Sequence, residues 1–159
     1  MGKTELSLKD LNARGLRIAA VASRYNPKVA DGLLKGALLA LQELGLAETE
    51  IEIFRVPGAF ELPLLAQQLA QTQGFDAVVC LGVVIRGDTS HFDYVCEGVT
   101  QGLMQAMLKT GVPMAFGVLT TDNEAQAQAR SGDDAHNKGR EAALTAVEMA
   151  VLGKKVRRG

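Results

Sequence analysis

The sequence has no tryptophan, two cysteines and two histidines, and aromatic residues make up 4% of its 159 positions. Because the thiols and imidazoles are few and lie in separate segments, they lack the ligand spacing of a metal centre, and no metal is predicted. Cys80 and Cys96 also make no disulfide framework. The amino-terminal segment MGKTELSLKD contains no apolar stretch typical of secretion. Together these absences predict a cytoplasmic protein.

Neither sign of charge is in excess, and no apolar run is long enough to span a membrane. The 17 lysines and arginines nearly balance 18 aspartates and glutamates, which gives a formal net charge of -1 at pH 7. Without a dense basic face, neither nucleic acid nor a membrane is expected as a partner. We interpret the locally basic tail, Lys154 to Arg158, as a solvated chain end.

The motifs of several common enzyme classes are missing. There is no G-x-S-x-G elbow, no Walker loop and no G-x-G-x-x-G after the first apolar run. Hydrolases, nucleoside triphosphate enzymes and dinucleotide enzymes are therefore disfavoured.

Apolar runs alternate regularly with helical patterns along the chain, and 47% of the residues are hydrophobic. This content is sufficient for one domain over residues 1–159, with 1–14 as a polar leader. The alternation predicts a three-layer α/β/α sandwich around a four-stranded parallel sheet. Strands are predicted at 16–22, 51–56, 78–85 and 113–119, and helices at about 27–44, 60–71, 90–109, 125–130 and 137–152. Gly74 is predicted to end the second helical unit.

The run from Val78 to Ile85 contains no polar residue, which is typical of a central strand covered on both faces. Open parallel sheets bind ligands beyond the carboxyl ends of their strands, and the amino terminus of the next helix offers free N–H groups to an anion. Ser90 and Asp93 resemble a capping box at that helix start. The segment from Arg86 to His91 is therefore the predicted ligand site.

His91 stands in the first turn of the predicted helix, where an imidazole could exchange protons near neutral pH. A lone histidine is more often structural, but the turn glycine and the hydroxyls of Thr89 and Ser90 favour a functional role. His136 has no comparable surroundings and is interpreted as a surface residue. The cations with anion-binding potential, each with a plain surface role as the alternative, are Arg86, Arg130 and Lys138.

Tyr25 and Phe60 both follow predicted strands and therefore face the same end of the sheet. A planar ligand stacked on such a ring would gain about 1 kcal/mol beyond area burial; the alternative is that the rings only cover the top of the sheet. Glu61 lies at a predicted helix start, where the helix dipole stabilises a carboxylate without any ligand. Its alternative role is to accept hydrogen bonds from substrate hydroxyl or amide groups.

Five segments in order carry a family resemblance: SRYN from Ser23, VPGAFELP from Val56, GVVIRGDTSHFDYV from Gly82, FGVLTTDN from Phe116 and NKG from Asn137. Together they resemble the 6,7-dimethyl-8-ribityllumazine synthase family, over nearly the whole chain. The resemblance implies a flavodoxin-like sandwich. It also implies condensation of 5-amino-6-ribitylaminouracil with 3,4-dihydroxy-2-butanone 4-phosphate in riboflavin biosynthesis, with release of phosphate and water and without a cofactor.

The resemblance assigns the pyrimidine and its ribityl chain to residues near the ends of three predicted strands. Tyr25 takes the place of the ring that stacks on the pyrimidine, and its hydroxyl departs from the commoner phenylalanine or tryptophan. Val83 is a second departure, at a position where a small or hydroxylated residue is also common. The remaining implied contacts are the ribityl pocket of Ala59, Phe60 and Glu61 and the backbone of Val84 and Ile85 against the uracil.

The phosphate and the proton transfers are implied to depend on residues far apart in the chain. His91 would move protons, and Arg130 would bind the phosphate. Phe116 and Lys138 would close the pocket from a neighbouring subunit, so a homo-oligomer is expected. The implied phosphate cradle, completed by Arg130, is Gly87, Asp88 and Thr89.

Assembly and activity leave alternatives open. Family members form pentamers or sixty-subunit icosahedral shells, and the short turn before NKG favours a shell. One rival function is a flavodoxin-like electron carrier, but the hydroxyl-rich phosphate loop of such a carrier is missing after the first strand. A second rival is a non-catalytic flavin-binding or shell-forming protein of the same fold.

Overall fold

Strands and helices alternate along residues 10–158, the part of the chain that the computed structural model describes. Residues 1–9 of the predicted polar leader lie outside the described residues. The elements in chain order are β1 (Ile18–Ser23), α1 (Pro27–Glu43), β2 (Ile51–Val56), a short 3-10 turn (Ala59–Glu61), α2 (Leu62–Gln71), β3 (Ala77–Ile85), α3 (His91–Thr110), β4 (Met114–Thr121), α4 (Glu124–Ala129) and α5 (Lys138–Arg158).

The four strands form one parallel sheet in the order β2-β1-β3-β4. Strand β3 pairs with β1 from Ala77 to Leu81 and with β4 from Val78 to Ile85. Every residue of β1 is buried, and β3 is buried up to Val84. This burial explains why the apolar run in β3 carries no polar alternation.

Helices cover both faces of the sheet, which confirms the predicted α/β/α layers. On one face, Leu33 and Leu41 of α1 and Val147 of α5 pack in one apolar core. On the other face, Leu62 of α2 and Val99 of α3 belong to a second core. No helix within residues 10–158 is long and apolar enough to cross a membrane.

Helices α1 and α5 approach each other closely at Gly139. A Cβ atom added there would lie 2.7 Å from the carbonyl carbon of Leu33 and would collide with the Leu33 oxygen. Close backbone approach of this kind requires glycine, because any side chain would push the helices apart. Gly153, farther along α5, meets only the flexible end of Arg157 at 3.3 Å.

Several predicted element ends differ from the structure. The residue that ends α2 in the left-handed region is Gln73, with φ of 60°, and not Gly74. The Thr72 hydroxyl donates to the Leu69 carbonyl at 2.6 Å and accepts from the Gly74 N–H at 3.2 Å, which ties this turn without a glycine at the strained position.

The prediction of a capping box at the start of α3 is wrong. The Ser90 side chain makes no capping hydrogen bond, and the Asp93 carboxylate instead pairs with Arg86 at 3.4 Å. The side-chain acceptor at the start of this helix is instead the Thr89 hydroxyl, which accepts from the His91 N–H at 3.3 Å.

Strand β4 and helix α5 both extend beyond their predicted ends. The ladder between β3 and β4 continues to the pair Ile85 and Thr121. The basic tail is solvated, since residues 155–158 are exposed, but it is also helical: α5 continues to Arg158, and Lys154 pairs with Asp76 at 3.3 Å. Cations in the last turn are also favoured by the helix dipole.

We predict that Gly139→Ala lowers the free energy of unfolding by roughly 1 to 3 kcal/mol, the usual cost of forcing an extra methyl group into a packed contact. The matched control is Gly153→Ala, which should raise it by about 0.5 to 1 kcal/mol, because alanine is the better helix former where space is open. Urea titration of both variants measures the difference. Equal effects at the two positions would contradict the close approach of α1 and α5.

Candidate active site

A cavity of about 500 Å³ lies at the carboxyl ends of β1, β2 and β3, beside the start of α3. It is large enough for a small organic molecule. Three of its aromatic rings are largely exposed, at 65% for Tyr25, 60% for Phe60 and 70% for Tyr94. Its lining residues are Tyr25, Asn26, Gly58, Ala59, Phe60, Glu61, Val83, Val84, Ile85, His91, Tyr94 and Val95.

The loop after β1 sets the position of Tyr25. The Tyr25 N–H donates to the Pro57 carbonyl at 3.1 Å, which ties this loop to the end of β2. A Cβ atom at Gly58 would come within 2.7 Å of the Tyr25 ring, so the missing side chain makes room for the ring. Asn26 adopts a left-handed conformation with φ of 56°, which asparagine tolerates better than most residues, and α1 begins directly after it.

A second wall is formed by the 3-10 turn that precedes α2. The Phe60 ring lies against Gly98 of α3, where a Cβ atom would come within 2.7 Å of it. Glu61 accepts a hydrogen bond from the Gly58 N–H at 3.0 Å through Oε2, so its carboxylate has the structural role that a helix start predicts. None of the residues 10–158 donates to Oε1, and this second oxygen can accept from a ligand.

Strand β3 and helix α3 supply the third wall. His91 lines the cavity from the first turn of α3, and Tyr94 and Val95 lie on the same side, three and four residues later. Within one chain, the predicted phosphate cradle does not line the cavity. Its residues, Gly87, Asp88 and Thr89, occupy the exposed turn between Ile85 and His91, where the Thr89 hydroxyl accepts from the His91 N–H at 3.3 Å.

Three of the predicted residues lie elsewhere, along the unpaired edge of β4. Phe116, Arg130 and Lys138 line a shallow concavity of about 200 Å³, and none of them lines the larger cavity. Phe116 is 46% exposed. Arg130 and Lys138 are joined through their backbones, since the Lys138 N–H donates to the Arg130 carbonyl at 2.8 Å. One chain therefore carries two separate groups of predicted site residues.

The loop that carries these cations is held by Asn137, which is 3% exposed. Its Nδ2 donates to the carbonyls of Gly32 at 3.0 Å and Gly132 at 2.9 Å. Its Oδ1 accepts from the N–H groups of Gly139 at 2.8 Å and Arg140 at 3.1 Å, which caps the start of α5. One buried carboxamide thus connects α1, the loop and α5.

We predict that Asn137→Ala lowers the free energy of unfolding by about 2 to 3 kcal/mol, because it removes a helix cap and leaves two carbonyls without their donor. The matched control is Asn123→Ala. Asn123 is exposed and caps α4 through one bond, from the Gln126 N–H at 2.9 Å, so about 1 kcal/mol is expected. Thermal and urea unfolding of both variants measure this, and equal losses would show that the buried carboxamide has no special role.

Arg86 and Cys80 both have structural surroundings. Arg86 bonds to Asp122 at 3.0 Å and lies over the Phe92 ring at 4.3 Å, which agrees with the surface role given as the alternative to anion binding. Burial raises the pKa of the Cys80 thiol to about 12, which leaves it protonated and unreactive. Among residues 10–158, no group of three or more His, Cys, Asp or Glu side chains is placed to hold a metal ion.

The fold is a parallel three-layer sandwich with a ligand-sized cavity at the carboxyl ends of its strands. These features define a class of α/β proteins that bind small molecules at the strand ends. Comparison with protein families narrows this class. Residues 15–154 match the family model described as 6,7-dimethyl-8-ribityllumazine synthase. The chain therefore belongs to the 6,7-dimethyl-8-ribityllumazine synthase family.

Three relatives carry this same name. The protein of Streptomyces coelicolor is 54% identical over 151 residues, which cover 94% of this chain and 91% of the relative. That of Syntrophus aciditrophicus is 53% identical, covering 89% and 92%. That of Salinibacter ruber is 52% identical, covering 90% and 92%. At these coverages the similarity extends over both groups of predicted site residues.

The site residues predicted from the sequence did not include four residues that line the cavity, Asn26, Gly58, Tyr94 and Val95. A signal for two of them was present, because residues three and four positions after His91 share its helix face. Asn26 had only the weaker signal of an asparagine directly before a helix-starting proline.

Proposed function

We propose that this protein condenses 5-amino-6-ribitylaminouracil with 3,4-dihydroxy-2-butanone 4-phosphate to 6,7-dimethyl-8-ribityllumazine, a step of riboflavin biosynthesis that releases phosphate and water. The observation that carries the proposal is the cavity at the strand ends, in a chain of this family. Its walls combine exposed rings with one free carboxylate oxygen, which suits a planar heterocycle bearing a polyhydroxylated chain.

The pyrimidine and its ribityl chain are assigned to the 500 Å³ cavity. Tyr25 stacks on the heterocycle, and the backbone of Val83, Val84 and Ile85 binds the uracil edge. The ribityl hydroxyls donate to Glu61 Oε1, beside Ala59 and Phe60. His91 stands at the remaining wall and moves protons during imine formation and ring closure.

The phosphate of the second substrate is assigned to the turn of Gly87, Asp88 and Thr89 together with Arg130. Because Arg130 lies on the edge of β4 in its own chain, the complete site needs Arg130, Phe116 and Lys138 from a second copy. The protein is thus proposed to be a homo-oligomer, a pentamer or a sixty-subunit shell. The two free cysteines support a cytoplasmic location.

We infer that most of the acceleration comes from proximity. Condensation of an amine with a ketone needs modest acid–base help, whereas holding both substrates in reacting geometry removes a large entropic cost. On this view His91 assists the chemistry, and the phosphate contacts determine whether the second substrate is held in place.

The function is tested by mixing both substrates with the purified protein. Formation of fluorescent lumazine with release of one phosphate per product is expected. Flavin binding without turnover would instead favour a non-catalytic flavin-binding or shell-forming protein. Light scattering addresses assembly, and a pentamer mass alone would refute the shell.

We predict that His91→Ala lowers kcat by at most about 10²-fold, the low end for general acid–base catalysis, if proximity dominates. Steady-state kinetics with the pyrimidine affinity measured separately would show this. A loss of about 10⁴-fold with unchanged affinity would overturn the proximity mechanism.

We predict that Arg130→Ala lowers kcat/KM for the butanone phosphate by an amount equal to about 2 to 4 kcal/mol, because an electrostatic clamp on the phosphate is lost. The control is Lys35→Ala. Lys35 is an exposed cation that pairs with Asp133 at 3.2 Å. It lines neither the 500 Å³ cavity nor the concavity beside β4. An unchanged kcat/KM for the phosphate substrate would exclude the assigned role of Arg130.

The shared site has its own test in mixed assemblies. If His91 and Arg130 of one site come from different copies, co-assembled His91→Ala and Arg130→Ala chains contain native sites, roughly a quarter of all sites for random pairing of equal amounts. Activity above that of either variant alone is expected. The absence of any recovery in verified mixed assemblies would contradict a site shared between copies.

A further inference from the structure

The Arg86 side chain joins the end of β3, the start of α3 and the end of β4. Its Nε donates to Asp122 Oδ1 at 3.0 Å, and its NH1 lies 3.4 Å from Asp93 Oδ1. The guanidinium carbon is 4.3 Å from the centre of the Phe92 ring. Its backbone N–H donates to the Thr121 carbonyl at 2.9 Å.

The residues in these contacts lie before and after the proposed phosphate turn along the chain. The turn of residues 87–90 begins directly after Arg86, and His91, Phe92 and Asp93 follow it at the start of α3. Every residue of the turn is exposed. Arg86 contacts Asp93 in the first turn of α3 and Asp122 after β4, so it ties the start of this helix to the ends of two neighbouring strands.

The energetics favour a local role over a global one. Arg86 has a side chain that is 44% exposed, and exposed ion pairs contribute little to overall stability. A guanidinium can nevertheless bond to two carboxylates and lie on a ring at once, because it is planar and forked. The hydrogen bond to Asp122, followed by the charge of Asp93, raises the pKa of Arg86 above its ordinary value. A guanidinium is charged at every physiological pH even without this rise.

We propose that Arg86 is a positioning residue, which holds the turn of residues 87–90 and the first turn of α3 so that Thr89 and His91 face the phosphate-bearing substrate. The proposal rests on the proposed function for the identity of that substrate. Arg86 itself touches no substrate, since both its carboxylate partners and its ring partner belong to the protein.

The chain contains a matched control in Arg17. Its guanidinium also combines an ion pair, with Glu52 at 3.5 Å, and a ring contact, with Phe75 at 5.7 Å. It lies directly before β1, at the opposite end of the sheet. Arg17→Met and Arg86→Met therefore remove similar surface interactions, and only Arg86→Met affects the proposed site.

The test compares four variants of the assembled protein: Arg86→Met, Arg86→Lys, Asp122→Asn and Arg17→Met. For each variant, we would measure steady-state kinetics with each substrate, thermal unfolding and amide hydrogen exchange. Arg86→Met is expected to lower kcat/KM for the butanone phosphate roughly 10- to 100-fold. The KM for the pyrimidine should stay within about twofold, and the Tm should change as little as in Arg17→Met. Arg86→Lys keeps the charge without the fork, so partial rescue is expected. Asp122→Asn should shift the kinetics in the same direction.

The amides of His91, Asp93 and Tyr94 donate hydrogen bonds at the start of α3. Their exchange is expected to accelerate about tenfold or more in Arg86→Met and to stay unchanged in Arg17→Met. This measurement needs no substrate. It therefore still tests whether Arg86 holds the turn and the start of α3 if the native protein forms no lumazine and the proposed function fails. Unchanged exchange would overturn the proposal. Losses in kcat/KM that are equal for both substrates and parallel to a fall in Tm would also overturn it, because they would indicate general destabilisation.

Discussion

Strand β3 is paired on both edges and covered on both faces, and the rest of the structure depends on this burial. An apolar strand of this kind cannot lie at a surface, so helices must pack on each side of the sheet. All strands run parallel, and their carboxyl ends therefore lie at the same end of the sheet. The cavity forms at this end, where β3 stops and α3 begins.

The same arrangement separates two groups of site residues. The cavity lies at the carboxyl ends of β2, β1 and β3, while Phe116, Arg130 and Lys138 lie along β4, one of the two outer strands of the sheet. Backbone groups on the outer edge of such a strand remain available for contact. In the proposed function, the site is complete only when a second copy brings its β4 edge to the cavity, so the proposed catalysis depends on assembly.

Buried polar groups organise the parts of the molecule that apolar packing leaves undetermined. The Asn137 carboxamide satisfies four backbone groups where α1, α5 and the preceding loop meet. Arg86 has a comparable role at the surface, at the junction of two strand ends and a helix start. Both side chains connect segments that are distant in sequence, and both lie next to residues assigned to the phosphate.

The helices and strands, and the end of the sheet that binds a ligand, could be predicted from the sequence, because apolar periodicity is local and is visible within each segment. Strand β2 begins and ends where its pattern predicts, at Ile51 and Val56, and the residues around Tyr25 and His91 do meet in one cavity. The partners of the polar side chains depend on the fold and could not be predicted from any local pattern. Arg86 bonds to Asp122, 36 positions away, because the neighbouring positions of β3 and β4 in the sheet bring their ends together, and no local pattern encodes which strand ends become neighbours.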